Sequence, residues 1–262
     1  MTEVNGEERM SREEEILAIV SQKKKIEVNE LSELLNVSKV TIRKDLDKLE
    51  ARGLLHRQHG YALLNNMDDI NYRLAQNYDL KHKIALEASK IVNDGEVIMI
   101  ESGSTCALLA EELAFNRNDI TIITNSCFIA SYIRKAESVK VILIGGEYQK
   151  ESQVNVGPLV KQVISEFYVD KLFVGIDGFD QRRGFTGSDI TRCDTTRTLA
   201  TAANQTIVLT DSSKFSQNGV VSEFAFSEIS KVFTDQRIDQ AALEFMKKQE
   251  IDCLLYTSDA AD

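Results

Sequence analysis

The sequence predicts two domains of different class: a small helical domain closed by a β-hairpin, and a larger α/β domain built on a mostly parallel sheet. Three observations carry this. Residues 8–64 hold short helical patterns, with apolar side chains three and four apart, ahead of two apolar arms around a Gly-containing tip. From residue 78 to 252, continuous Val/Ile/Leu runs of strand length alternate with helical patterns, as in a parallel sheet covered on both faces. Between them "NNMDDINYRLAQNYD" is polar and irregular, which makes 65–77 a partly ordered linker.

Composition narrows the class further. A chain of 262 residues with 43% hydrophobic content can bury one medium core and one small one. Its apolar runs, such as "KVILIGG" and "EVIMI", are far shorter than the roughly 20 residues a membrane span needs. The acidic, polar N-terminus does not read as a secretory signal, so no membrane contact and a cytoplasmic location are expected. Cys106, Cys127, Cys193 and Cys253 have no CxxC spacing or nearby histidine, so neither a zinc site nor a disulfide framework is expected, and no cofactor. The net charge of -10 is unevenly placed. Residues 38–59 reverse it, with 6 basic against 3 acidic side chains.

In the first domain, "MSREEEILAIVSQ" and "VNELSELLN" are short amphipathic helices, the second with Val28, Leu31, Leu34 and Leu35 as its apolar stripe. Ser38 in "NVS" is placed to cap the next helix, "KVTIRKDLDKLEARG". There Val40, Ile42, Leu46 and Leu49 read as core-facing, and Lys39, Thr41, Arg43 and Lys44 crowd the first turns of the opposite side, where a recognition helix meets DNA. Gly53 stops that helix. "LLHRQHGYALL" then forms a hairpin wing whose Arg57, with His56 and His59, faces phosphates. A winged helix-turn-helix over 8–64, with the helix-turn-helix at about 28–47, follows from the three features in order.

"VNELSELLNVSKVTIRKDLDKLEARGLLHRQHG" resembles the N-terminal domain of DeoR-type bacterial transcriptional repressors. The resemblance implies operator contacts in the major groove or to adjacent phosphates from Ser38, Lys39, Thr41, Arg43 and Lys44, and wing contacts from Arg57 and His59. Tyr61 departs from it, standing where a second glycine is usual.

In the second domain, the runs "EVIMIE", "DITIITN", "KVILIGG", "KLFVGID" and "QTIVLTD" end in "ESGST", "TNS", "GGE", "GIDGF" and "TDSSKF". Ligands bind at the carboxyl ends of parallel strands, so these polar ends form one candidate rim. "SGST" ahead of a helix combines a close-approaching backbone with hydroxyls and exposed N–H groups, an anion cradle. Neither GxxxxGK[ST] nor GxGxxG is present, which favours a sugar phosphate over a nucleotide. Pro158 fits the first turn of a helix.

Residues 78–252 resemble the sensor domain of the same repressors, whose fold is shared with ribose-5-phosphate isomerase and glucosamine-6-phosphate deaminase. The resemblance implies a phosphate loop of Ser102, Gly103, Ser104 and Thr105, surrounded by Asn125, Ser126, Gly145, Gly146, Asp177, Gly178, Asp211 and Lys214. Thr186 and Asp189 in "FTGSD" are assigned to sugar choice. Glu101 and Cys106 depart from the usual Asp and Thr and alter the chemistry of the cradle. Residues 253–262, "CLLYTSDAAD", break the strand pattern begun by "KKQEID" and read as a non-native sequencing-adapter tail, with Leu254, Leu255 and Tyr256 available to stand in for the strand.

His82 is the one histidine beyond the first domain, and it starts a helix far from any strand end. No acid/base set is evident, so no catalytic residue and no metal ligand is expected. The expectation is a DNA-binding repressor of a carbohydrate-catabolism operon. Its partners are double-stranded operator DNA and a phosphorylated sugar or sugar alcohol, and it assembles as a homodimer or homotetramer. A sugar-phosphate isomerase or deaminase is the alternative.

Overall fold

The computed structural model describes residues 11–51, 54–63 and 68–256, and separates into two compact units, Met1–Tyr78 and Asp79–Asp262. The expected helix stop at Gly53, residues 8–10 and 64–67, and the tail beyond Tyr256 lie outside the described residues.

The first unit runs α1 (Arg12–Lys23), β1 (Lys25–Glu27), α2 (Val28–Leu34), α3 (Lys39–Ala51), β2 (His56–Gln58), β3 (Tyr61–Leu63) and α4 (Ile70–Ala75). A capping box starts α1: the Ser11 N–H donates to Glu14 at 2.6 Å, and the Glu14 N–H donates back to the Ser11 hydroxyl. Ile16, Leu17 and Val20 of α1, Leu31 of α2 and Ile42, Leu46 and Leu49 of α3 close the core. The three strands form a wing sheet in the order β1-β3-β2. Sequence reading missed β1 because "KIE" is too short to show a strand period.

Two expectations are corrected here, those for Val40 and Leu34. Val40 is 61% exposed and does not face the core, since it lies two residues, roughly 200°, from Ile42 on the helix. Asp45 takes a core-side position instead, buried and paired with Arg12 of α1. Leu34 is exposed, leaving Val28 and Leu31 as the buried stripe of α2. In the linker, residues 69–75 form an ordered element: Asp69 caps α4, accepting the Asn71 N–H at 2.7 Å, and Ile70, Tyr72, Leu74 and Ala75 are buried. That spacing is helical, but six residues among polar neighbours are too few to announce it.

The second unit comprises α5 (Tyr78–Ser89), β4 (Val97–Ile100), α6 (Ser104–Asn116), β5 (Ile120–Thr124), α7 (Cys127–Tyr132), β6 (Val139–Leu143), β7 (Glu147–Gln149), β8 (Val154–Val156), α8 (Pro158–Ile164), β9 (Val169–Val174), β10 (Gly178–Asp180) and β11 (Gly184–Gly187). It continues through α9 (Ile190–Ala200), β12 (Ala203–Leu209), β13 (Val221–Phe224), β14 (Lys231–Asp235), α10 (Gln240–Lys248) and β15 (Asp252–Tyr256). Seven strands form one sheet, ordered β15-β14-β12-β9-β4-β5-β6, and every pairing is parallel. Ile98–Ile100, Leu172–Val174 and Ile207–Leu209 are buried consecutively, so both faces of the sheet are covered. Pro158 opens α8 as its first residue. Residues Cys253–Tyr256 complete the edge strand β15, where Leu254 and Leu255 pair in register with Phe233 and Thr234.

The chain winds from β4 through β5 to β6 in one direction, then resumes at β9 on the other side of β4 and winds outward to β15. The reversal falls between β4 and β9, and such a switch point opens a crevice beyond the strand ends. Two small antiparallel sheets, β7-β8 and β10-β11-β13, flank that rim. Strands of only three or four residues are too short to show a period by which to foresee them.

Candidate functional site

The first candidate site is the outer face of α3 with the wing. Ser38 caps α3 as expected: its hydroxyl accepts the Thr41 N–H at 3.2 Å and lies 2.9 Å from the Thr41 hydroxyl. Both side chains are thereby held by the cap. Lys39, Arg43 and Lys44 are exposed on the turns that follow. The wing turn is His59-Gly60, with Gln58 paired to Tyr61 and φ of 50° and 85° at the two central residues, which defines a type I′ turn. Gly60 accepts this conformation without strain, and His59 is exposed at the tip. Tyr61 begins β3 and takes no part in the tip. Its hydroxyl donates to Glu27 at 2.6 Å, which pushes the phenol pKa up, and the Lys25 ammonium lies 4.1 Å from its ring centre.

Arg57, expected to face phosphates, is held against α3. Its guanidinium pairs with Asp47 of α3, and its backbone N–H donates to Glu50 at 2.8 Å. His56 is half-buried beside it on β2. Arg12 grips the Asp45 carboxylate with two hydrogen bonds, 2.6 and 3.2 Å long, tying α1 to α3. Asp45 is 3% exposed, whereas the guanidinium reaches water. The two truncations should therefore differ. Arg12→Ala strands a buried carboxylate and is expected to cost about 1–3 kcal/mol more than Asp45→Ala, which leaves a solvated guanidinium. Urea denaturation of the two variants checks the order.

The second candidate site is the rim at the carboxyl ends of the parallel strands. At the switch point the backbones of Gly103 and Gly175 nearly touch: a Cβ on Gly103 would lie 3.0 Å from the Gly175 Cα. A side chain at Gly103 would require the two backbones to part by a few tenths of an ångström. Glu101 is buried and folded into its own loop, accepting the Gly103 N–H at 2.8 Å, the Gly175 N–H at 3.4 Å and the Ser102 hydroxyl. The base of the cradle is thus already filled by a side chain of the loop itself. Gly103, the N-cap of α6, has no side chain to cap the helix, and the half-buried Ser104 and buried Thr105 begin the first turn. Cys106 is buried behind it.

Several expected site residues are engaged by the fold. Ser126 caps α7, accepting the Ile129 N–H at 3.1 Å. Asp189 caps α9 through the Arg192 N–H at 2.7 Å, and Asp211 accepts the Ser213 N–H at 3.1 Å at the start of a 3-10 turn, Ser212–Ser216. Thr186 is buried, its hydroxyl accepting the Gly219 N–H at 2.8 Å. Gly178 packs against Gln217 and Gly219, and Gly146 against Val156, whereas Gly145 faces open space. Lys214 donates to Gln217 at 3.3 Å. Asp177 accepts the Ser188 N–H and hydroxyl at 2.9 and 2.6 Å, joining the end of β9 to the "FTGSD" loop.

Asn125 is different. Its Nδ2 donates to the Asn155 carbonyl at 3.0 Å, and its Oδ1 is buried with no hydrogen-bond partner among the described residues. Asn155 in turn donates to the Ile144 carbonyl at 2.9 Å, locking the ends of β5 and β6 to β8.

One group the sequence did not single out is Glu223 of β13. It is 7% exposed, hydrogen-bonded with Thr196, and packed with the Cys193 thiol against Gly187. Burial, then the nearby Glu101 and Asp177 carboxylates, raise its pKa from the ordinary 4.5 to about 8. Burial, then the nearby Glu223 and Asp177, push Cys193 up to about 12, which disfavours the nucleophilic thiolate. Glu223 stands 122 positions after Glu101, in a short strand with no motif, so nothing local announced it.

Among the described residues no group of His, Cys, Asp and Glu is arranged to hold a metal ion, and no helix is long and apolar enough to cross a membrane.

Comparison with known proteins covers both units. The model of the DeoR-like helix-turn-helix domain matches residues 12–67, and that of the DeoR C terminal sensor domain matches 76–236. The HTH-type transcriptional regulator GolR of Listeria innocua is 32% identical over 88% of this chain and 92% of its own. The lactose phosphotransferase system repressor of Streptococcus mutans is 30% identical over 92% and 97%, and the L-fucose operon activator of Escherichia coli 29% over 87% and 95%. With the sensor model alone spanning more than half of the chain, and these relatives aligned over nearly their whole length, the chain belongs to the DeoR family of DNA-binding transcriptional regulators.

Proposed function

We propose that this regulator represses a carbohydrate-catabolism operon, and that a phosphorylated sugar or sugar alcohol at the rim of the second unit controls its affinity for operator DNA. The observation that carries the DNA side is the capped α3, whose exposed Lys39, Arg43 and Lys44 adjoin a type I′ wing bearing Arg57. The names of its relatives support a sugar-operon role, since they include a lactose phosphotransferase system repressor and an L-fucose operon activator.

At the rim, the first turn of α6 takes the phosphate, and Asn125, Asp177 and Lys214 meet the hydroxyls. An effector acts by binding one DNA-affinity state better than the other, so its differential affinity sets the size of the response. The reading assigns no catalytic step to the second unit. Paired heads on paired half-sites fit a homodimer or homotetramer.

Gel-shift titration of the DNA upstream of its own operon, with a panel of sugar phosphates, tests this. One sugar phosphate is expected to shift the complex, and Arg43→Ala to weaken it by about 1–3 kcal/mol if Arg43 reads a guanine. Absence of any complex at low salt, or turnover of ribose 5-phosphate by the protein, would refute the reading.

A further inference from the structure

We infer that Asp47 is a positioning residue for DNA binding: it holds the wing's Arg57 against the recognition helix, so that one guanidinium serves both the helix and a DNA phosphate. The inference rests on the assignment of α3 and the wing as the DNA-facing surface.

The geometry comes from two contacts that cross from the helix to the wing. Asp47 binds the Arg57 guanidinium through Nη1, and Glu50, three residues further along the same face, takes the Arg57 backbone N–H at 2.8 Å. Together they fix both ends of one residue, its backbone and its charged tip. The consequence shows in exposure: the Arg57 side chain is 28% exposed, while Asp47, its partner, is 61% exposed. The guanidinium is therefore laid along the helix and does not wave from the wing.

Asp47 is four residues after Arg43, so the two share a helix face about 6 Å apart along the axis. The pairing brings the charge of Arg57 to the turn next to Arg43, which extends the basic stripe of Lys39, Arg43 and Lys44 with a residue from another element. A guanidinium has five N–H donors in a fixed fork, so a phosphate can use those that Asp47 leaves. Anchoring also removes rotamer freedom that Arg57 would otherwise lose on binding DNA.

A bare charge argument gives the opposite sign. Asp47 is an exposed anion on the DNA-facing side, and removing it should tighten binding to a polyanion. Asp47→Asn therefore discriminates. Affinity for a random-sequence duplex, probed because a phosphate contact is independent of sequence, is measured against salt between about 50 and 200 mM for the full chain.

The expected result for Asp47→Asn is binding weakened about two- to fivefold, with a salt slope shallower by part of one phosphate contact. Arg57→Ala is expected to lose about one full contact from that slope. The double variant should bind no more weakly than Arg57→Ala alone, since Asp47 acts through Arg57. Unchanged thermal melts would assign these effects to the contact and not to folding. Binding by Asp47→Asn that equals or exceeds wild type, with Arg57→Ala weakened, would overturn the inference and leave the DNA-facing assignment intact. Wild-type affinity and slope in Arg57→Ala would instead remove Arg57 from the DNA surface, and the inference with it.

Discussion

Replacing Glu223 by Gln is expected to abolish a loss of stability that the wild-type protein suffers as pH rises from about 5 to 9. The folded-state pKa of Glu223 is about 8, against 4.5 for the ordinary group, because burial and then the Glu101 and Asp177 carboxylates oppose its ionisation. Between those two values the native state keeps a proton that the unfolded chain has released, so stability must fall as pH rises. The contribution is intact below the unfolded pKa and lost once pH passes the folded one. A displacement from 4.5 to about 8 corresponds to about 5 kcal/mol in the limit of high pH. Glutamine keeps the shape and has no proton to lose. Thermal melts of both proteins across this range should therefore diverge, the variant becoming the more stable at pH 9. Parallel pH profiles would mean that Glu223 ionises freely, and would contradict its burial beside the Glu101 and Asp177 carboxylates.

Phe179→Ala should produce the largest loss from packing alone. The ring is 6% exposed and sits amid Phe185, Phe215, Phe226 and Phe245, with centroid separations of 5.9, 5.3, 5.6 and 6.1 Å. Removing it opens a cavity that four aromatic neighbours cannot all collapse into. The expected cost is about 3–5 kcal/mol, which for a unit of this size lowers the melting temperature by about 10 °C. The cluster also supports the rim, because Phe179 follows Asp177 by two residues and its N–H donates to the Gln217 carbonyl at 2.9 Å. Phe179→Leu, which refills part of the space, should recover part of the loss. A loss below about 1 kcal/mol for the alanine variant would show that the aromatic cluster is not a rigid core.

Much of the fold was legible because its signals are local. Ile42, Leu46 and Leu49 recur at helical spacing, and that stripe alone places the opposite face of α3 in solvent. Runs such as "VIMI" and "ITIIT" are apolar on both sides of the strand, which only a doubly covered parallel sheet tolerates. Val40 misleads for the same local reason: an apolar residue beside a stripe looks like part of it until the helix phase is fixed.

The candidate sites were legible as regions and not as contacts. A strand end rich in Ser, Asp and Gly looks alike whether its polar groups meet a ligand or cap the next helix. Ser126, Asp189 and Asp211 cap, while the Oδ1 of Asn125 has no partner among the described residues, and no local pattern distinguishes the two.

What the sequence by itself determined is therefore the class of each domain, the face of α3 that meets solvent, and the set of strand ends that line one rim. Those follow from periodicities of 3.6 and 2 residues, and from the rule that parallel strands finish on the same side. What only the tertiary structure decided is which side chains spend their polar atoms inside the fold. Glu101 turns inward because the Gly103 and Gly175 N–H groups converge on it from two strands. The pKa of Glu223 is raised because β13 buries it and carries it into the field of Glu101 and Asp177, and Arg57 lies along α3 because the wing folds back over Asp47. Each depends on groups far apart in the chain meeting in space, and hydrogen bonds and charge interactions respond to distances that sequence separation does not encode.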